Sequence, residues 1–127
     1  MIDQIKMVEE FHVKFLQTMS DYPVNISEQE AELRYKLGKE ELDEYLTAAK
    51  NNDLVEVLDA LADQLYILYG TITKHGLQNY IVEAFELVHK NNLAKLGPDG
   101  KPIFRADGKI IKPENFKKVE LKDVFKL

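Results

Sequence analysis

One segment restricts the folding options of this chain more than any other. Residues 54–72 read LVEVLDALADQLYILYGTI, which is apolar almost all round and yet carries Asp59 and Asp63 in its interior. Its length and periodicity predict a helix that opens at Asp53 and closes near His75-Gly76, where glycine accepts the left-handed conformation that ends helices. At about 100° per residue, Glu56, Asp59 and Asp63 fall within roughly 60° of one another, with Tyr66 and Gly70 on the same side. Val57, Leu61 and Leu68 lie opposite. A helix that is apolar on two sides has to be covered on two sides, which predicts a helical bundle completed by oligomerisation. The acids set a second condition, because a carboxylate taken out of water needs a positive partner.

Three further segments carry helical periodicity. In the first, roughly residues 2–19, Ile5, Val8, Phe11, Phe15 and Met19 recur at three- and four-residue steps, with His12 on the same stripe, before Tyr22-Pro23 stops it. The second opens at a capping box, Ser27 with Glu30 three residues on, and runs to about Lys50 with Leu33 and Leu37 facing inward. The fourth covers about residues 79–95 and is closed by Gly97-Pro98. Beyond it the pattern changes: IFRADGKII places an Asp-Gly turn between two short apolar runs, a hairpin signal. The expected fold is therefore all-α, a four-helix bundle with a short C-terminal hairpin and extended tail. Residues 1–96 form the helical domain, and 97–127 are an appendage of the same domain.

Charge separates along the chain. Residues 1–96 hold 9 Lys/Arg against 17 Asp/Glu, and residues 97–127 hold 8 against 5. An acidic body argues against nucleic acid as a partner, since that binding rests on Lys and Arg at the phosphates. There is no cysteine, so any metal must be held by oxygen or imidazole. No run of about 18 apolar residues and no basic-then-apolar leader is present, which predicts a cytoplasmic protein away from membranes.

The second helix supplies the other half of a site. Glu40, Glu41 and Glu44 lie within roughly 100° of one another, and Glu40 and Glu44 continue the stripe begun by Leu33 and Leu37. Two consecutive helices thus aim acids inward, and hard oxygen ligands at such spacing suit Mg²⁺ or Mn²⁺. The competing structural reading is a salt-bridge network with Arg34, Lys36 and Lys39. Glu56 also has a purely structural reading, as the capping-box partner of Asp53.

Glu40-Glu41-x-x-Glu44 followed by the acids of Glu56–Asp63 resembles the all-α nucleoside triphosphate pyrophosphohydrolases: MazG, the dimeric dUTPases and phosphoribosyl-ATP pyrophosphohydrolase. The likeness extends to MVEEFH near the start, to ADQLYILYGT, and to FELVHKNNLAKLGPDGKPIFR, and is greatest for the small MazG-like members. One position departs from the pattern: Ala60 stands where the family has Glu three residues before the final Asp, and Asp59 or Glu56 is expected to supply the missing oxygen. The resemblance implies Mg²⁺-dependent cleavage of nucleoside triphosphates to monophosphate and pyrophosphate in a homodimer or homotetramer. Glu41, Glu44, Asp59, Asp63 and Glu56 would be metal ligands. Glu40, with Glu41 and Glu44 as the catalytic acids, would serve as base or orienting group. Asn92, Lys95, Lys101, Arg105, Lys112 and His12 would contact the nucleotide.

Two other classes fit parts of the pattern. A di-iron carboxylate bundle needs two Glu-x-x-His pairs, and Glu9/His12 and Glu86/His89 provide the spacing. A non-catalytic dimeric scaffold needs only that the acids form ion pairs.

Overall fold

The computed structural model describes residues 1–125. The fold is the all-α one expected. Among the described residues there are four α-helices, α1 (Ile2–Lys14), α2 (Glu28–Lys50), α3 (Leu54–Lys74) and α4 (Ile81–Leu93). Two short strands, β1 (Ile103–Phe104) and β2 (Ile110–Ile111), and a 3₁₀ helix at Leu121–Phe125 follow. None of these helices is long and apolar enough to cross a membrane.

The chain forms two compact units, Met1–Asn79 and Tyr80–Leu127. In the first, α3 is the axis against which both α1 and α2 pack. Both long helices start where their caps dictate: the Ser27 hydroxyl accepts from the Glu30 N–H at 3.1 Å, and the Asp53 carboxylate accepts from the Glu56 N–H at 3.2 Å. A two-residue break at Asn51-Asn52, with Asn52 at φ 55°, turns the chain from α2 into α3. That short connection makes the two helices antiparallel neighbours.

Helix α1 is shorter than its periodicity suggests. It stops at Lys14 because Leu16 adopts φ 57°, and the Gln17 and Leu16 N–H groups fold back onto the His12 and Val13 carbonyls at 2.8 and 3.3 Å. This is a Schellman ending built on a residue other than glycine. Ile5, Val8 and His12 form the buried stripe, whereas Phe15 and Met19 lie beyond the helix and are exposed. Leu33 is exposed too, since α1 covers α3 and leaves that side of α2 open.

In the second unit, Asn91 on α4 accepts the Val119 N–H at 2.8 Å, Tyr80 and Phe125 pack with ring centroids 5.2 Å apart, and Val124 is buried. The hairpin pairs Ile103 with Ile111 and Phe104 with Ile110 around a turn in which Gly108 takes φ 86°.

Candidate active site

Antiparallel packing brings the two acidic segments level with each other. Glu41 and Glu44 on α2 and Asp63 on α3 each offer an oxygen, and all three oxygens lie within 4.8 Å of one another. Glu41 and Asp63 are half-buried, while Glu44 faces solvent. No lysine or arginine forms a salt bridge with any of the three among the described residues. The electrostatic consequence falls on Glu41. Its carboxyl is pushed up to about 7, first by withdrawal from water, then by its hydrogen bond with the Glu44 carboxyl, and then by the charges of Asp63, Glu44 and Asp59. One of its oxygens, Oε2, is sealed from solvent without any hydrogen-bond partner.

These features fit a hard divalent cation. Oxygen is the preferred donor of Mg²⁺ and Mn²⁺, and a cation would relieve both the repulsion among the three carboxylates and the unsatisfied acceptor on Glu41. The group contains no imidazole. In the sequence pattern of a di-iron site, Glu86 and His89 sit exposed on α4, in the other compact unit from Glu9 and His12.

The other acids singled out from sequence take different places. Asp59 is exposed one turn before Asp63 and acts on Glu41 through its charge. Glu56 receives the cap of Asp53 at its backbone, and its side chain lines a cleft of about 420 Å³ shared with Asp43, Glu44, Thr47, Asn51 and Asp53. Glu40 is exposed next to Glu41. Ala60, where the family pattern has Glu, is 2% exposed. The turn before Asp63 therefore holds a methyl group inside the helix packing.

His12 is 3% exposed, with its Nδ1 unpartnered. Its pKa is lowered by burial first, then by Lys74 and Arg34. The remaining candidates belong to the second unit. Lys95 donates to the Asn92 side chain at 2.9 Å, Arg105 pairs with Asp107, Lys112 lies over the Phe116 ring at 5.4 Å, and Lys101 is exposed.

Arg34, which the sequence offers as an ion-pair partner for the acids, forms no salt bridge with them among the described residues, and Gln64 escaped the sequence reading. Arg34 ties α2 to α3, donating from Nε to Thr71 Oγ1 at 2.9 Å and from Nη2 to the Ile67 carbonyl at 2.6 Å. Gln64, next to Asp63, has a sealed and unpartnered Nε2. An uncharged amide in an apolar helix carries no periodic signal that would have marked it.

An all-α fold with carboxylates converging from consecutive helices places this chain in the MazG-like all-α nucleoside triphosphate pyrophosphohydrolase superfamily. Within it, the chain belongs to the phosphoribosyl-ATP pyrophosphohydrolase family, whose model matches residues 8–92. Over 76 residues the chain is also 37% identical to the uncharacterized protein L479 of Acanthamoeba polyphaga mimivirus. That stretch is 60% of this chain and 27% of the viral protein, so the chain matches about a quarter of that relative's length.

Proposed function

We propose that this chain is a Mg²⁺- or Mn²⁺-dependent nucleoside triphosphate pyrophosphohydrolase, converting a (d)NTP and water to (d)NMP and pyrophosphate. The observation that carries the proposal is the convergence of Glu41, Glu44 and Asp63, paired with no lysine or arginine among the described residues, and membership of a pyrophosphohydrolase family supports it. Glu41, Glu44 and Asp63 act as first ligands. Asp59 and Glu56 add negative charge on the same face of α3 for a further cation. When bound, the cations neutralise the triphosphate and lower the pKa of the attacking water.

The chain's own task is to hold these oxygens in register and to manage one proton. Glu40, exposed beside the ligand Glu41, takes the proton from the water that attacks the α-phosphorus, or orients that water. Asn92, Lys95, Lys101, Arg105 and Lys112, together with His12, are assigned to the nucleotide. Clearance of nucleotides from a cytoplasmic pool is the corresponding role.

We further assign the working form to a homodimer or homotetramer. Leu61, Leu65 and Leu68 on α3 are 43%, 49% and 54% exposed, and with Leu42 they line an apolar groove of about 580 Å³. Sedimentation as a monomer at micromolar concentration would end that assignment.

The catalytic proposal is tested with Glu44→Gln and Asp63→Asn. Both variants should keep the helical circular-dichroism spectrum of the parent and release no pyrophosphate from any (d)NTP. Undiminished release from either one ends the proposal.

A further inference from the structure

Two sealed polar atoms beside the acid cluster lack partners, and they are of opposite kind. Glu41 Oε2 is an acceptor and Gln64 Nε2 is a donor. Gln64 directly follows Asp63 on α3, so it belongs to the layer of the antiparallel pair in which Glu41 and Asp63 bring their oxygens within 4.8 Å. Its side chain is directed toward the flank of α2, since it lines one groove with Gly38 and Leu42. Along α2, Gly38 comes about one turn before Glu41 and Leu42 immediately after it, both to one side of it around the helix axis. Gly38 leaves this turn of α2 open: a Cβ added there would meet nothing within 4 Å.

Both atoms are unpartnered without a cation, and we propose that Gln64 is the positioning residue for Glu41: once a cation is held, its amide donates to Oε2 and so fixes which carboxylate oxygen the cation receives. The inference rests on the reading of Glu41, Glu44 and Asp63 as cation ligands. A carboxylate turned toward a cation still has an outer oxygen to satisfy. Where that oxygen is sealed from water, only a neighbouring donor can do so. Gln64 is the sealed, unpartnered donor next to Asp63. Without it Glu41 has more rotameric freedom, and the cost of choosing the binding rotamer is taken from metal affinity.

The test is calorimetric titration with Mn²⁺ alone, on the parent, Gln64→Met and Glu41→Gln, alongside thermal unfolding of each in EDTA. Methionine keeps the length and apolar contacts of the side chain and removes the donor. The expected result is Mn²⁺ affinity roughly 10- to 100-fold weaker in Gln64→Met, the range typical of lost outer-shell donors. Its unfolding midpoint in EDTA should be equal to or above the parent's, because an unsatisfied buried donor has been removed. Affinity within twofold of the parent overturns the proposal. So does a lowered midpoint or a lost cooperative transition in EDTA, since Gln64 would then serve the fold. If the parent itself binds no Mn²⁺, the reading of the three carboxylates as ligands fails, and the role of Gln64 fails with it.

Discussion

Two layers of the α2–α3 pair, seven residues apart on each helix, carry opposite charge and are compensated in opposite ways. In the layer of Arg34 and Gly70, the guanidinium donates to Thr71 Oγ1 and the Ile67 carbonyl, and nearby Lys74 donates to the Thr18 carbonyl and hydroxyl at 3.2 and 3.1 Å. In the layer of Glu41 and Asp63, about 10 Å away by helical rise, no lysine or arginine forms a salt bridge with the acids among the described residues. The difference follows from helix chemistry. Each helical carbonyl keeps a second lone pair for a passing cation, whereas each interior N–H is already committed to the turn before it. Buried cations can therefore be satisfied by the helices themselves. Buried carboxylates in the same place cannot, and they are left to take up a proton or a cation from outside.

The strongest way to break that contrast is to neutralise the acid layer. Asp63→Asn should lower pyrophosphate release by on the order of 10³-fold or more, the scale of losing a charged group that stabilises a transition state. Steady-state assays with saturating Mg²⁺ measure it, and a loss below tenfold would mean that Asp63 is no ligand. The basic layer should respond in stability. A Cβ on Gly70 would lie 2.5 Å from Arg34 Nη2 and 3.1 Å from His12 Nε2, so Gly70→Ala displaces a guanidinium held by two hydrogen bonds. The expected cost is about 1–3 kcal/mol, read from urea unfolding. No change in the midpoint would show that Arg34 moves aside freely and that the layer is loosely held.

The acid layer was legible because carboxylates at three- and four-residue steps on two consecutive helices share a face, although the pattern did not reveal that Asp59 and Glu44 are exposed while Glu41 and Asp63 are half-buried. Both capping boxes were legible for the same local reason, and Ser27 and Asp53 do cap α2 and α3. The end of α1 was not. Phe15 and Met19 continue the helical rhythm, and the left-handed residue that breaks it is Leu16, whose side chain carries no such signal. A helical wheel also gives angle without partner. It grouped Asp59 and Glu56 with Asp63, but only the packing of α2 against α3 decides which of them comes level with Glu41 and Glu44. The need for glycine at position 70 is likewise invisible until Arg34 and His12 are brought over it.

Protonation sharpens the comparison, because the two layers have opposite signs. Without metal, the folded state raises the Glu41 carboxyl to about 7, above its unfolded value, so a bound proton favours folding. That contribution is complete below about pH 4.5 and is lost as pH rises toward 7. His12 is shifted down, so its proton favours unfolding, and its contribution is present above about pH 6.5 and lost as pH falls. In EDTA, Glu41→Gln should therefore be more stable than the parent at pH 8 and equal to it near pH 4. With Mg²⁺ at pH 8 the order should reverse, because only the parent gains from the metal. Thermal midpoints across this range, with and without Mg²⁺, supply the check. A variant less stable than the parent in EDTA at pH 8 would show that Glu41 is not strained by its neighbours.

The smallest effect concerns the other glycine of the pair. Gly38 lies within α2 on the side of the apolar groove, with no atom within 4 Å of where its Cβ would be. Nothing in the fold therefore requires glycine there, and helix propensity alone predicts that Gly38→Ala stabilises by about 0.5–1 kcal/mol. Gly70→Ala and Gly38→Ala should thus move the urea midpoint in opposite directions although the chemical change is identical. The sign at position 38 also bears on the proposed assembly. If a second copy packs its own helices closely into the groove, the added methyl meets that copy, and the gain seen at low concentration should shrink or invert as the protein becomes oligomeric. A gain that is independent of protein concentration would place the interface on another face of α3.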